Sequence, residues 1–327
     1  MGDYLKLVNC SPLSGEMIRQ AILDQASLPR PLHVLDCHQM PEEKLAGAVA
    51  DADVIFGDFT LKTRITKNVI SAARNLKLIQ QPSAGFDHID VQACRHAGIQ
   101  VANTPGANDI AVAEHTLMLA LACLKKLALV HRQTQQGNWL QYKALELGVC
   151  ELAGKTYGLL GMGHTARALA LRLQAFDVVL KYHSRTPLTA EEEEKYQANY
   201  LGLKDLLSQA DILSIHLPLT EETRGMVGSK ELELMKPGAV LINVARGGIV
   251  DEAALARALK NNRLSAAGLD VFEHEPVEGN NPLLGLENVI VTSHVAGATV
   301  ESGQRIFTMA IKNVIRALQN MAPLHVV

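Results

Sequence analysis

Gly154-Lys-Thr-Tyr-Gly-Leu-Leu-Gly161-Met-Gly163-His164-Thr165-Ala166 decides the fold. A short apolar run, Tyr157–Leu160, leads into two glycines, and an amphipathic stretch follows them. Strand, glycine turn and helix in that order make the phosphate-binding turn of a dinucleotide fold. Gly161 permits the tight turn, and Gly163 lets backbone approach a pyrophosphate. Ala166 takes the third place, where a small side chain lets helix and strand pack. The helix N-terminus then presents free N–H groups and a positive partial charge to the phosphates. Spacing alone leaves a purely structural turn as the alternative, and the order of elements favours the dinucleotide.

The same rhythm runs outward in both directions. Before the turn, strands are expected at Leu5–Val8, His33–Leu35, Val54–Phe56, Leu76–Ile79 and Ile99–Ala102, with helical segments between them. After it, strands are expected at Val178–Tyr182, Ile212–His216, Val240–Val244, Ala267–Val271 and Val289–Thr292, and a last helix at Val300–Leu318. Continuous Val/Ile/Leu runs of this kind suit parallel sheets buried on both faces by helices. Asn103-Thr104-Pro105-Gly106 breaks the pattern with turn formers. A long helix is expected next, from Asp109 as its cap to Gln135. It is apolar around most of its circumference through Leu124, which predicts burial against other helices or a second subunit. The acidic run Glu191–Glu194 reads as a solvated helix start. The organisation is two successive α/β units of unequal length, with no solenoid repeat.

Composition narrows the classes. The chain has 327 residues, 48% hydrophobic and 20% charged, with a formal net charge of −3. That is ordinary globular usage, long enough for two domains, and it offers no broad basic surface to nucleic acid or anionic lipid. Five scattered cysteines, none in C-x-x-C spacing, read as thiols of a reducing cytoplasm rather than a metal or redox pair. No signal peptide and no membrane-spanning run are evident, and the protein is expected to be cytoplasmic. Met1-Gly2 opens as a lipidation signal does, but Lys6 stands where Ser or Thr is needed, and that reading is set aside.

The strand after the glycine turn bears on the cofactor. An NAD enzyme places an acid at its end to hold the adenosine ribose 2′-OH. Here it ends Lys181-Tyr182-His183-Ser184-Arg185, with Ser184 23 residues after Gly161 and no acid. Arginine can bind a 2′-phosphate with its planar fork, so NADP(H) is the expected preference. The alternative is that Arg185 is a solvated loop residue and either cofactor binds, NAD(H) included.

Three later segments, each following a strand, offer reactive groups: Asn243-Val-Ala-Arg246-Gly-Gly, Gly268-Leu-Asp270-Val-Phe-Glu273-His274-Glu275-Pro276, and Val291-Thr-Ser-His294-Val-Ala-Gly297. Reducing a 2-keto acid needs a cation to hold the carboxylate and polarise the ketone, which Arg246 can provide. It needs an acid titrating near neutral pH, which His294 can provide. It gains from a carboxylate that orients the imidazole, and Glu275 is the candidate. Read alone, Arg246 serves equally as a helix cap or salt-bridging residue, His294 as a structural histidine, and Glu275 as a turn residue with Glu273 competing for its role. A metal site at His274, Glu275 and His294 lacks a compact ligand cluster and is not expected.

These segments occur in an ordered set. Gly85-Phe-Asp-His-Ile-Asp90, Thr104-Pro105-Gly106, Ala111-Val-Ala-Glu114, the glycine turn, His216-Leu-Pro218-Leu-Thr220, Asn243-Val-Ala-Arg246-Gly, the Gly268–Pro276 segment and His294 together closely resemble the D-isomer-specific 2-hydroxyacid dehydrogenases. The resemblance covers the chain from about residue 50 onward. It implies two Rossmann-like, doubly wound parallel-sheet domains, the cofactor domain inserted into a discontinuous substrate domain. The implied boundaries are 1–103 and 293–327 for the substrate domain and 104–292 for the NAD(P) domain. It implies Arg246 on the substrate, Glu275 rather than Glu273 behind the histidine, and His294 as proton donor. Backbone N–H groups of Ser83, Ala84 and Gly85 would hold the substrate carboxylate. Cofactor contacts would come from Gly161, Gly163, His164, Thr165, Ser184, Arg185, Leu217, Pro218, Val244, Ala245, Asp270 and Gly297. Asp87, Asp90 and Glu114 match family positions and are read as structural. The family's usual state implies a homodimer through the cofactor domain. Ala166 and Ser293 depart from the family's common Gly and Pro, both conservatively for packing.

The expected function is hydride transfer between NADP(H) and a small 2-keto acid or D-2-hydroxy acid such as glyoxylate or hydroxypyruvate, with no metal. Ser184-Arg185 resembles the NADPH-using glyoxylate/hydroxypyruvate reductases. Two alternatives stay open. The Gly-Met-Gly turn and the Tyr-His pair also resemble phosphite dehydrogenases, which oxidise a small anion. Some members of the fold are dinucleotide-sensing corepressors that keep the same catalytic residues, although no peptide-docking extension is visible here.

Overall fold

The computed structural model describes residues 3–327, so the Met1-Gly2 start lies outside it. The chain parts into two units, one comprising residues up to Asn108 together with Val300–Val327, the other Asp109–Thr299.

In the first unit, β1 (Leu5–Asn9), β2 (Leu32–Asp36), β3 (Val54–Phe56), β4 (Leu78–Gln80) and β5 (Gln100–Ala102) form a parallel sheet in the order β2-β1-β3-β4-β5. Helices α1 (Gly15–Leu23), α2 (Glu42–Val49), α3 (Lys67–Ala72) and α4 (Val91–His96) connect the strands. Alternate side chains of the central strands enter two separate cores. Val8, Ile55 and Ile79 face one, and Leu7, Val54 and Leu78 face the other. Burial on both faces is why these strands read as unbroken apolar runs.

The second unit opens with α5 (Asp109–Leu124) and α6 (Leu127–Gln135), where the sequence predicts one helix. The break is local and has a cause. The Leu124 carbonyl accepts the N–H of Cys150 at 3.0 Å, and Lys126 adopts a left-handed backbone with φ +51°. Strands β6 (Thr156–Leu160), β7 (Val179–His183), β8 (Ala198–Tyr200), β9 (Ile212–Ile215), β10 (Ala239–Asn243), β11 (Leu264–Leu269) and β12 (Val289–Val291) form a parallel sheet in the order β12-β11-β10-β9-β6-β7-β8. Helices α7 (His164–Leu173), α8 (Ala190–Tyr196), α9 (Leu203–Gln209), α10 (Ser229–Leu234) and α11 (Glu252–Lys260) cover it. The Glu191–Glu194 run does start α8, capped by Thr189, but Glu193 turns inward to accept the Tyr182 hydroxyl at 2.8 Å. The strand order reverses between β6 and β9, and the crevice at such a switch point is where open parallel sheets bind ligands.

The last helix, α12 (Val300–Leu318), returns to the first unit. It places Ala310, Ile311, Val314 and Leu318 in the core at helical spacing. Its buried Asn313 donates to Gln80 Oε1 at 2.9 Å.

The units part at 108/109 and 299/300, whereas the sequence reading places its boundaries at 103/104 and 292/293. Hydrogen bonds explain the difference. Residues 103–107 are bound into the first unit by Asn103 Nδ2 to the Ala84 carbonyl, Thr104 N–H to the Ser83 carbonyl and Arg305 Nε to the Ala107 carbonyl. Residues 294–296 are held in the second unit by Asp270. No helix among the described residues is long and apolar enough to cross a membrane.

Candidate active site

Each of the named segments of the second unit lies just past the carboxyl end of a strand. Gly161–Gly163 follows β6, Ser184-Arg185 follows β7, Leu217-Pro218 follows β9, Val244–Gly247 follows β10, Asp270–Glu275 follows β11, and Thr292–Gly297 follows β12. Parallel register across the sheet therefore brings them to one edge.

Gly161 has φ +102°, and a Cβ there would lie 2.5 Å from the His216 carbonyl oxygen. Only glycine fits this crossing between β6 and β9. Gly163 precedes α7, and a Cβ there would point into open space with nothing within 4 Å. The first turn of α7 presents N–H groups beside that space. Space, donors and helix polarity thus fit a dinucleotide diphosphate. Ala166 is fully buried in the core under the turn, as the packing argument requires.

At the end of β7, the Ser184 hydroxyl donates to the Thr186 carbonyl at 2.7 Å and closes a tight turn. Arg185 beside it is exposed. Glu222, in the loop after β9, is held below the ordinary carboxylate range by the Thr220 hydroxyl, a backbone N–H and the Arg185 charge.

The reactive groups come from the next three strands. Asn243 accepts the Ala245 N–H at 3.1 Å and donates to the Arg246 carbonyl at 3.0 Å, which shapes the turn. Arg246 Nη1 donates to the Ala245 carbonyl at 2.7 Å. At the end of β12, Thr292 Oγ1 and the N–H groups of Val295 and Ala296 all donate to Asp270, at 2.6, 2.9 and 2.8 Å. His115 Nε2 lies 3.7 Å from the same fully buried carboxylate. The His294 N–H donates to the Asp270 carbonyl at 2.8 Å, so His294, with φ +56°, is fixed on both sides.

His294 Nδ1 lies 2.6 Å from Glu275 Oε2, and Glu275 Oε1 accepts the Phe272 N–H at 2.9 Å. Burial favours the neutral acid at Glu275. The His294 hydrogen bond, the Phe272 N–H and the charges of His294 and Arg246 outweigh it and hold the carboxyl below its ordinary range. Glu275 is therefore ionised near neutral pH, and the shared proton sits on Nδ1. The sequence left Glu273 competing for this place. Its backbone N–H instead bonds Glu252, and Glu275 holds the imidazole. No cluster of His, Cys, Asp or Glu suited to a metal occurs among the described residues.

In the first unit, the Ser83–Gly85 loop follows β4. Its three carbonyls are taken by Thr104 N–H, Asn103 Nδ2 and the Ser83 hydroxyl. Its three N–H groups have no hydrogen-bond partner among the described residues.

Two participants escaped the sequence reading. Asp109, read only as a helix cap, accepts the Thr165 hydroxyl at 3.2 Å at the start of α7. Gly247 packs directly on the backbone that carries Glu275. The Gly-Gly pair after Arg246 was the available signal for it.

Comparison with known proteins places the chain among its relatives. Residues 117–296 match the family model described as D-isomer specific 2-hydroxyacid dehydrogenase, NAD binding domain. The glyoxylate reductase of Aeropyrum pernix is 41% identical over 299 residues, spanning 89% of this chain and 88% of that relative. The hydroxypyruvate reductase of Thermotoga maritima is 36% identical over 282 residues, spanning 85% and 89%. Among solved structures, a glyoxylate reductase from Paecilomyes thermophila superposes with a TM-score of 0.88 at 29% identity, covering 100% of this chain and 99% of that one.

Proposed function

The chain belongs to the D-isomer-specific 2-hydroxyacid dehydrogenases, and on that premise we propose that it is a cytoplasmic, NADP(H)-preferring reductase of small 2-keto acids such as glyoxylate or hydroxypyruvate. The observation that carries the chemistry is the 2.6 Å contact between His294 Nδ1 and Glu275 Oε2. With Nδ1–H directed at an ionised carboxylate, Nε2 is the atom left to exchange a proton with substrate. In the reducing direction His294 gives its Nε2 proton to the oxygen that develops negative charge, and Glu275 stabilises the cationic imidazole beforehand. In the oxidising direction neutral His294 takes that proton back. Arg246 offers directed N–H donors to the keto acid's carboxylate and carbonyl oxygen, where charge accumulates in the transition state. The unpartnered N–H groups of Ser83, Ala84 and Gly85 suit a carboxylate as well. When bound, the reduced nicotinamide supplies the hydride.

Gly161, Gly163, His164 and Thr165 would hold the diphosphate. Leu217, Pro218, Val244, Ala245, Asp270 and Gly297 lie along the same strand ends and would line the rest of the cofactor path. The NADP(H) preference rests on Ser184-Arg185 in place of an acid at the end of β7. A homodimer through the second unit is supported by the apolar α5 and by Trp139, Tyr142 and Leu145, which are 70%, 87% and 92% exposed. Light scattering should return twice the chain mass. The cytoplasmic assignment rests on five cysteines that are all free thiols.

The experiment is nicotinamide absorbance with glyoxylate, hydroxypyruvate, pyruvate and phosphite, each tested with NADP(H) and NAD(H). Keto-acid reduction faster with NADPH supports the whole reading. Faster turnover with NADH overturns the cofactor preference alone. Turnover of phosphite but of no keto acid overturns the substrate class. Tight dinucleotide binding with no turnover of any substrate favours a sensing role.

A further inference from the structure

Asp109 begins α5, and His164 and Thr165 begin α7. Asp109 Oδ1 accepts the Thr165 hydroxyl at 3.2 Å, and Oδ2 lies 3.9 Å from His164 Nδ1. The carboxylate therefore stands within the first turn of the helix whose N-terminus fits a diphosphate. A carboxylate and a diphosphate would then share one helix end. Like charges in a shared site are relieved most cheaply by protonating one of them.

Other charged groups of these two helices are engaged elsewhere. On α5, Glu114 pairs with Arg172 of α7, and His115 lies against Asp270. On α7, Arg167 pairs with Glu192 of α8. Within the second unit, Asp109 and His164 are the titratable groups facing each other at this end of α7.

We propose that the Asp109–His164 pair takes up a proton from solvent when a dinucleotide diphosphate docks on α7, so that dinucleotide affinity rises as pH falls. The inference rests on the reading of α7 as the diphosphate site. Burial already biases Asp109 in the required direction. It raises the carboxyl above its ordinary value, opposed by the His164 charge and the Thr165 hydrogen bond. Proton uptake and affinity are linked, so the same coupling appears in both measurements.

The test is isothermal titration of the full chain with NADP+ and with NAD+, in buffers of different ionisation enthalpy at matched pH. The wild type should take up a fraction of a proton on binding, and its Kd should rise as pH increases from 6 to 8. Asp109→Asn should lose most of the uptake and bind about fivefold tighter than wild type at the alkaline end. His164→Gln, at an exposed side chain that the fold does not need, should also lose uptake and should weaken binding at the acid end. Equal proton counts and Kd values within about twofold for wild type and both variants would overturn the proposal alone. Failure of the wild type to bind either dinucleotide would overturn it together with the site reading beneath it.

Discussion

Gly247→Ala should cut kcat about a hundredfold while leaving a folded protein that still binds dinucleotide. A Cβ at position 247 would lie 1.8 Å from the Phe272 carbonyl oxygen, 1.9 Å from its carbon and 2.5 Å from the Glu273 nitrogen. Real Cβ contacts essentially never fall below 3.0 Å. All three obstacles are backbone, so no side-chain rotation relieves the clash. Either the turn carrying Arg246 or the segment 272–275 must retreat by about 1.2 Å, the gap between 1.8 and 3.0 Å. Both choices damage the chemistry. The first moves the guanidinium, and the second carries Glu275 away from an imidazole that it meets at 2.6 Å. A displacement of about 1 Å at reacting groups costs about a hundredfold in rate. Overpacking of this kind destabilises by about 1–3 kcal/mol, which a domain of ordinary stability survives. The assay is kcat with the best keto acid, beside thermal unfolding and dinucleotide Kd. A variant with kcat within about twofold of wild type would refute the claim that Gly247 holds these two segments in register.

Glu275→Gln should lower kcat by about ten- to a hundredfold with little change in dinucleotide Kd, because the imidazole loses both its charge partner and its orientation. Unchanged kcat across pH 6–9 would sink the role given to the pair. Arg185→Ala should weaken NADPH far more than NADH in direct binding, and equal losses would mean that the guanidinium does not meet a 2′-phosphate. Burial pushes His216 down to about 4 from 6.5, so the folded protein keeps this ring neutral where the unfolded chain protonates it. Stability is therefore full above about pH 6.5 and is lost as pH falls toward 4, by about 2 kcal/mol at pH 5. Urea midpoints at pH 7 and 5 should show that loss in the wild type and less of it in His216→Gln; identical losses would assign the pH dependence elsewhere.

The legible parts of the fold were those written in local pattern. Strands buried on both faces announce themselves as apolar runs, and β1, β3, β6, β9 and β10 fall where such runs stand. The short strand β8 carries no such run, since only Ala198 of its three residues is buried. The break between α5 and α6 was illegible for a different reason. Leu124 and Lys126 look helical, and the N–H that takes the Leu124 carbonyl belongs to Cys150, distant in sequence. The tie between Asp270 and the backbone of 295 and 296 is likewise invisible to local pattern, since it spans 25 and 26 positions. At the candidate site, the meeting of Glu275 with His294 was open to reading because a carboxylate and an imidazole suit one proton relay and each follows a strand. Asp109 was not, since a helix cap and a carboxylate beside a phosphate turn look identical until α5 and α7 pack together.

Asp270 shows why the reactive groups form a unit. Its carboxylate gathers Thr292, Val295 and Ala296, while its own N–H donates to the Asn243 carbonyl and its carbonyl accepts the His294 N–H. One buried residue of the β11 end therefore joins the β10 end, which carries Arg246, to the β12 end, which carries His294. Glu275 follows Asp270 on the same segment and is anchored by the Phe272 N–H. The left-handed backbone at His294 costs about 1–2 kcal/mol, and the hydrogen bonds to Asp270 on either side offset it. The segments that carry His294, Glu275 and Arg246 are thus tied to one another by hydrogen bonds within the second unit. On the proposed reading, a loop elsewhere sets which substrate side chain is accepted without disturbing the proton-transfer pair, so that reactivity and specificity are carried by separate segments.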